Sequence, residues 1–467
     1  MPCGNPPPFT REAKGGLKVK HNQFKLHKFP QNPSGLPCGN PPPLYKGGKI
    51  PPACLTATHL PLQGRHNPSG LPKYGAALFV RRLRHGNWNY IIFHLQRATI
   101  IIQNFDKITA FAFSVLHVDK LSERQRKMDI KNILKELTSA VGVSGKETDA
   151  VLTAQRLLSE FGKTREDVLH SAICEIEGDR AGHILLDAHI DRIGLIVTSV
   201  TDEGFLHVAA CGGVDRRTLN GQEVTVYGRE PVFGVIASTP PHLASGDNER
   251  KATEIDDILI DIGAKNKQSA EKLVSPGDRA VVNSSFLSLC GDSVSCGALD
   301  DRSGIAVLLR ALELIKGKPH KKVTVVCSSR EETSGGGAKA AAFNSDADEI
   351  IAVDVSFAKT PDSKAEECGI LGKGPMIGIS PSLSYEFGEE LVRVAEKNDI
   401  PYQLEVMGGR TGTNLDGMTT ERGGIKSALI SIPQKYMHTG IEVVSVTDIE
   451  LCARLIAAYI LGGDLNA

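Results

Sequence analysis

Acidic and imidazole side chains recur where apolar stretches end in the second half of the sequence. They lie in five short segments, which contain His189, Asp191, Asp300, Asp301, Glu331, Glu332, Asp354 and His438. Carboxylate oxygens and imidazole nitrogens are the ligands that Zn²⁺, Co²⁺ and Mn²⁺ accept in proteins. The set therefore predicts a site for divalent metal ions.

The number of these side chains suits two ions. A pair of ions about 3.5–4 Å apart needs a bridging carboxylate and roughly two further ligands for each ion. Adjacent glutamates provide one metal ligand and one free carboxylate that moves a proton. Taken alone, each motif also has a structural interpretation, since Asp-Asp before a helix is commonly an N-cap and Glu-Glu in a loop is commonly solvated. The ordered set favours the metal site over these interpretations.

The elements that must position these residues alternate between strands and helices. Continuous apolar runs predict strands that are covered on both faces, at His183–Ala188, Lys322–Ser328, Glu349–Val355 and Lys426–Ile432. Amphipathic or apolar stretches predict helices at Ile130–Ala140, Glu147–Phe161, Ser303–Ile315, Glu386–Lys397 and Val446–Leu461. This alternation predicts a three-layer α/β/α domain with a largely parallel sheet. In such sheets ligands bind outside the carboxyl ends of the strands, where the acidic and imidazole residues lie.

Between about Thr198 and Ser288 the pattern changes to short β-like segments separated by Gly, Pro and Asp turns. Such a run predicts a small β-barrel inserted into the α/β domain. We therefore expect a catalytic domain in two parts, 128–197 and 289–467, with the barrel at 198–288 between them.

Residues 1–127 differ in composition from the rest. They contain 19 Lys and Arg against 4 Asp and Glu, and the segments PCGNPPP and NPSGLP each occur twice, 35 residues apart. Units so rich in Pro, Gly and Lys cannot bury a core, which predicts a disordered or spurious extension. A basic arm for nucleic acid is a second interpretation. The stretch Ala76–His117 is the exception, because its apolar runs could form local strands or a helix.

Cysteine usage and hydropathy predict the compartment. Seven of the ten cysteines follow Met128, scattered and without a C-x-x-C pair, which is typical of reduced thiols in a cytoplasmic protein. No apolar stretch reaches the length of a membrane span. We expect a cytoplasmic protein that binds neither nucleic acid nor membrane.

Many motifs in 128–467 resemble one known family, the glutamyl and tetrahedral aminopeptidases, some members of which are labelled cellulase M or endoglucanase. The motifs are GVSGKE, LLDAHIDRIGLIV, GGVDRRTLNGQEV, GVIASTPPHL, IDIGA, SPGD, ALDDRSG, REETSGGGAKAA, VDVS, LGKGP and ISIPQKYMHTGIE. The resemblance implies a dinuclear metal-dependent aminopeptidase that acts on short peptides. It also implies dimerisation through the inserted barrel and assembly of dimers into a dodecamer.

The resemblance implies a role for each site residue. His189, Asp300 and Asp354 would hold one metal ion, and Asp300 would bridge to a second ion. The second ion would also be held by Glu332 and His438. Glu331 would be the general base. Asp191 would orient His189, as metal-bound histidines usually require.

Two segments depart from the family pattern. GGRTGTNLDGM at 408–418 replaces a shorter Gly-Gly-Thr-Asp run, and REETSGGGA has Thr333-Ser334 where many members have Val-Gly. Both bear on substrate preference. Two alternative functions are a glycoside hydrolase, which needs two carboxyls in an aromatic-rich groove, and a non-catalytic scaffold on the same fold. The absence of tryptophan from 128–467 weighs against the first, and the presence of all the site residues weighs against the second.

Overall fold

The computed structural model describes residues 128–240 and 252–465, together with the backbone of three strands between 79 and 102. These strands, β1 (Phe79–His85), β2 (Trp88–Leu95) and β3 (Ala98–Ile102), form an antiparallel sheet. They lie within Ala76–His117, the stretch for which the sequence predicted local strands or a helix. The remainder of 1–127, including both repeats, lies outside the described residues.

Six strands close into a barrel between the two parts of the α/β domain. They are β7 (Gly194–Val200), β8 (Leu206–Cys211), β9 (Glu223–Tyr227), β10 (Pro231–Ile236), β11 (Leu259–Asp261) and β12 (Arg279–Val282). Their buried positions are mainly Val, Leu and Ile, which form a separate core inside the barrel. The fold class predicted from the sequence, an α/β domain with an inserted small barrel, is confirmed.

An eleven-stranded mixed sheet forms the centre of the α/β domain. Its strands are β4 (Lys163–Glu166), β5 (Ala172–Ile176), β6 (Arg180–His189), β13 (Leu287–Ser288), β14 (Ser293–Cys296), β15 (Lys321–Ser328), β16 (Glu349–Phe357), β17 (Met376–Ile379), β18 (Gln403–Val406), β19 (Lys426–Lys435) and β20 (Glu442–Ser445). The prediction of a largely parallel sheet holds for the four central strands, in the order β15-β6-β16-β19. The outer strands β4, β5, β13, β14 and β20 pair antiparallel.

Helices cover both faces of this sheet. They are α1 (Ile130–Ser139), α2 (Thr148–Leu158), α4 (Leu299–Ile315), α5 (Gly336–Asn344), α6 (Tyr385–Lys397), α7 (Leu415–Met418) and α8 (Val446–Ile460), while the short α3 (Lys267–Glu271) belongs to the barrel. One apolar core includes α1, α2, α4, α6 and α8, and another includes α5 and α7. Within the described part of the chain, no helix is both long and apolar enough to cross a membrane.

Candidate metal centre

The central strands bring the predicted residues to one edge of the sheet. β6 ends at His189, directly opposite Ser328 at the end of β15. Asp354 lies in β16, opposite Ser431 of β19. Because these strands are parallel, the loops that follow them project from the same edge. Glu331 and Glu332 follow β15, and His438 follows β19, so all of them reach this edge.

Three buried side chains meet at the first group. The Nε2 atom of His189 lies 3.0 Å from Oδ1 of Asp300 and 3.9 Å from Oδ1 of Asp354. One potential ligand atom from each residue lies within 4.8 Å of the other two. This spacing and donor chemistry fit a divalent cation.

A second group shares Asp300 with the first. The other carboxylate oxygen of Asp300, Oδ2, lies 3.3 Å from Nε2 of His438, and Oε2 of Glu332 lies 3.4 Å from the same nitrogen. These three residues also place ligand atoms within 4.8 Å of one another. Since each oxygen of Asp300 faces a different group, its carboxylate has the placement of a bridging ligand. The two groups together fit a pair of cations.

Main-chain carbonyls orient both imidazole rings. Nδ1 of His189 lies 3.1 Å from the main-chain oxygen of Asp191, and Nδ1 of His438 lies 3.0 Å from that of Gly213 in the barrel. A carbonyl can only accept, so each Nδ1 donates and each Nε2 faces the carboxylates. Residue 213 must be small, because a Cβ atom there would lie 2.6 Å from Nδ1 of His438.

The Asp191 side chain accepts hydrogen bonds from the main chain of the glutamate pair, Glu331 and Glu332. Its carboxylate lies 3.6 Å from Nδ1 of His189 and accepts hydrogen bonds from the main-chain N–H groups of Glu331, at 2.9 Å, and Glu332, at 3.2 Å. Asp191 is fully buried. It therefore fixes the loop that carries both glutamates as well as facing the histidine.

The pKa values of the site residues reflect the high density of carboxylates around them. Burial alone would raise the pKa of Asp300, but hydrogen bonds with His189 and His438 hold it below its ordinary value. The hydrogen bond with Asp300 raises the pKa of His438 to about 9. Burial, together with the neighbouring Asp300, raises the pKa of Glu332 to about 8. Bound cations would offset this concentration of negative charge.

Comparison with known proteins identifies the family of the chain. Residues 171–455 match the model of the M42 glutamyl aminopeptidase family. The chain belongs to the M42 family. This confirms the resemblance seen in the sequence motifs, and it supports an aminopeptidase, which is a peptide hydrolase.

Individual M42 relatives match along most of their length. Lysyl aminopeptidase of Pyrococcus furiosus is 30% identical over 333 residues, which cover 70% of this chain and 96% of the relative. Among solved structures, aminopeptidase APDkam598 of the archaeon Desulfurococcus kamchatkensis is 34% identical, with a TM-score of 0.67, and covers 71% of this chain and 94% of its own. TET1 peptidase of Pyrococcus horikoshii, which can assemble into a tetrahedron or a large octahedral shell, is 34% identical with a TM-score of 0.64; the match covers 72% of this chain and 100% of TET1.

Glu442 lies beside the two groups of candidate ligands, and no role was predicted for it from the sequence. One of its oxygens accepts hydrogen bonds from the N–H groups of Leu299, at 2.7 Å, and Asp300, at 3.1 Å. The other accepts from the N–H of His438, at 3.1 Å. Glu442 thus ties together the backbones of two candidate ligands. The sequence signal was a carboxylate beside the apolar run Val443-Val444, where burial without partners is costly.

Asp301 has a separate structural role. The backbone is not helical at Asp300 and Asp301. Oδ1 of Asp301 accepts a hydrogen bond of 2.9 Å from the N–H of Gly304. This is the N-cap pattern, three residues before the donor. The N-cap interpretation of the Asp-Asp pair therefore applies to its second member.

The two departures from the family pattern lie beside the site. The hydroxyl of Thr333 lies 2.8 Å from that of Ser144, which connects the glutamate loop to the GVSG turn. Asn414 is buried and donates hydrogen bonds to Asp187, at 2.9 Å, and Ser328, at 2.8 Å. Both departures thus form contacts next to the ends of β6 and β15.

Proposed function

We propose that the chain is a dinuclear metal-dependent aminopeptidase that releases N-terminal residues from short peptides. The observation that carries this proposal is the shared carboxylate of Asp300, with one oxygen facing each group of candidate ligands. His189, Asp300 and Asp354 would hold one ion, and Asp300, Glu332 and His438 the other. Zn²⁺, Co²⁺ and Mn²⁺ suit these ligands. Such ions, when bound, polarise a carbonyl and lower the pKa of water.

Glu331 is the proposed general base. Its side chain belongs to neither group of candidate ligands, although its main-chain N–H is held by Asp191 beside Glu332. Burial raises the pKa of Glu331 above its ordinary value, which favours a carboxylate that accepts a proton from water and returns it to the leaving amine. The proposed role of Asp191 is to orient His189 and the loop of Glu331.

The test is an assay on a panel of aminoacyl-p-nitroanilides and free-N-terminus peptides. We expect hydrolysis that a chelator abolishes and that Zn²⁺, Co²⁺ or Mn²⁺ restores. Glu331→Gln is expected to abolish turnover while the metal content stays near that of the unaltered protein, because the substitution removes a base and no ligand. Loss of metal from this variant would instead assign Glu331 as a ligand.

The same panel separates the alternative functions. Hydrolysis of a polysaccharide with no activity on any aminoacyl substrate would support a glycoside hydrolase and contradict the proposal. Absence of any turnover in protein that binds metal would support a non-catalytic scaffold. The composition favours the peptidase, because the one tryptophan, Trp88, precedes the α/β domain.

A cytoplasmic location belongs to the same proposal. The cysteines after Met128 are scattered and include no C-x-x-C pair, a pattern typical of reduced thiols in the cytoplasm. We further propose that the chain forms homo-oligomers and that its substrates are peptides. The TET1 peptidase of Pyrococcus horikoshii, which assembles into closed shells, supports the first of these statements.

A further inference from the structure

A cavity of about 500 Å³ lies between the barrel and the α/β domain. Apolar side chains such as Leu195 and Leu219 form part of its wall, and Asn283 and Arg192 form another part. His438, a candidate metal ligand, also lines it. The cavity is thus next to the proposed centre, and a peptide held at that centre could reach it.

Arg192 is the unusual member of the wall. Only 7% of its surface is exposed, and Nε of its guanidinium has no hydrogen-bond partner in the part of the chain that the structure describes. Among the described residues no carboxylate forms an ion pair with it, although Glu442 and Glu332 influence it electrostatically. By comparison, Arg302, which is fully buried, donates a hydrogen bond of 2.8 Å to the main-chain oxygen of Leu137.

The backbone and the surroundings hold Arg192 in this position. Its main-chain N–H donates to the oxygen of Gly142 at 3.0 Å, and its own carbonyl accepts from Ser144 at 3.2 Å. One guanidinium nitrogen packs against Gly297, where a Cβ atom would lie 2.8 Å away. The backbone of Arg192 is therefore held in place, and its guanidinium packs inside the wall.

A buried guanidinium without an ionic partner is unfavourable by itself. A carboxylate offsets this cost best, because its two oxygens match the fork of N–H donors in a bidentate pair. The other polar side chains of the wall, including Asn283 and Thr439, add neutral hydrogen-bonding groups. None of the described residues that line the cavity is acidic, so an anionic group would meet no like charge from them.

We propose that this cavity is a subsite for a carboxylate of the peptide substrate, with Arg192 as its anchor. The inference rests on the proposed peptidase function. The carboxylate has two sources, the side chain of an acidic N-terminal residue or the C-terminus of a short peptide. Both sources are within reach of the cavity, since His438 borders both the cavity and the candidate metal centre.

The experiment compares two substrate pairs, each differing by one carboxylate. Glu-p-nitroanilide against Gln-p-nitroanilide tests the side chain, and trialanine against trialanine amide tests the C-terminus. The unaltered protein is expected to prefer the charged member of one pair through a lower KM. Arg192→Gln is expected to raise that KM by about tenfold or more and to remove the preference, because a charge-assisted hydrogen bond is lost.

Two further variants control for folding and for general charge. Arg192→Lys keeps the buried charge without the fork, and it is expected to keep part of the preference. Arg229→Gln changes an exposed arginine of the barrel that is not among the residues lining the cavity; it is expected to keep the full preference. If Arg192→Gln does not fold, Arg192→Lys tests the subsite. A carboxylate preference smaller than that of the unaltered protein supports the subsite, and an unchanged preference contradicts it.

Several results would overturn the inference. They are equal kcat/KM values within both pairs for the unaltered protein, or an unchanged preference in the folded Arg192 variants. If the unaltered protein hydrolyses none of the four substrates and none of the aminoacyl-p-nitroanilide panel, the proposed peptidase function itself is contradicted, and the subsite falls with it. Activity without a carboxylate preference contradicts the subsite alone.

Discussion

At the scale of single residues, the site consists of ligands and of the carboxylates that hold their backbones. Asp300 has one oxygen toward His189 and the other toward His438. Asp191 and Glu442 accept hydrogen bonds from main-chain N–H groups of the ligand-bearing segments, and Asp191 also faces His189. Such partners keep ligands in place before any cation binds.

Glu442→Gln tests this arrangement. The amide keeps one acceptor oxygen, so at least one of the bonds to Leu299, Asp300 and His438 is lost. We expect metal affinity or kcat to fall by about 10–100-fold, as is usual for partners of metal ligands. Metal titration and turnover would measure this. Glu367→Gln, at an exposed glutamate that pairs with Lys364, serves as the control. Unchanged affinity and turnover in Glu442→Gln would assign Glu442 no role in positioning.

At the scale of elements, one carboxylate joins several strands at the opposite edge of the sheet. Glu349, at the start of β16, accepts hydrogen bonds from Lys321 of β15 at 2.8 Å, Lys426 of β19 at 3.0 Å and Tyr459 of α8 at 2.9 Å. Burial alone would raise the pKa of Glu349, but the two lysines bring it below its ordinary value.

This network predicts a pH dependence of stability. The folded pKa of Glu349 is lower than the unfolded one, so its ionised form stabilises the fold above about pH 4.5, and the contribution is lost as the pH falls through the folded pKa. Glu349→Gln is expected to lower the free energy of unfolding by about 1–3 kcal/mol at neutral pH and by less in acid. Urea denaturation at neutral pH and in acid measures the free energy of unfolding of Glu349→Gln and of the unaltered protein. An equal loss at both would contradict the predicted ionic contribution.

The sequence predicted elements better than contacts between them. The apolar runs predicted the central strands, and the positions of His189, Asp354 and His438 relative to those strands predicted one common edge. The role of Glu442 could not be predicted, since its partner Leu299 lies 143 residues away in the chain. The cavity beside Arg192 could not be predicted either, because its wall forms only where the barrel packs on the α/β domain. The antiparallel outer strands depend in the same way on tertiary pairing.

At the scale of the whole molecule, we predict a homo-oligomer, a dodecamer built from dimers through the barrel. On β10, Phe233 is 76% exposed and Val235 is 48% exposed, and apolar side chains at such positions are typical of contact surfaces. Light scattering after size exclusion would measure the mass. Phe233→Asp is expected to dissociate the dimer, whereas Val168→Asp, at an exposed position of the α/β domain, is expected to leave it intact. A monomeric unaltered protein would contradict this prediction.

We also predict that residues 1–127 are dispensable for the remainder of the chain. Their excess of 15 basic residues over acidic ones and their proline-rich repeats leave little apolar surface to offset the entropy of ordering. A protein that begins at Met128 should match the full chain in melting temperature, oligomeric mass and specific activity. Unfolding or aggregation of the shortened protein would show that the segment, with its strands β1–β3, supports the rest.

Two cations are expected to share the carboxylate of Asp300. A metal titration tests this expectation. Protein stripped with a chelator is titrated with Zn²⁺, while the bound metal and the rate of aminoacyl-p-nitroanilide hydrolysis are followed together. We expect activity to rise to a plateau at two ions per chain, and Asp300→Asn to weaken binding of both. Full activity without metal, or a plateau at one ion that Asp300→Asn leaves unchanged, would contradict it.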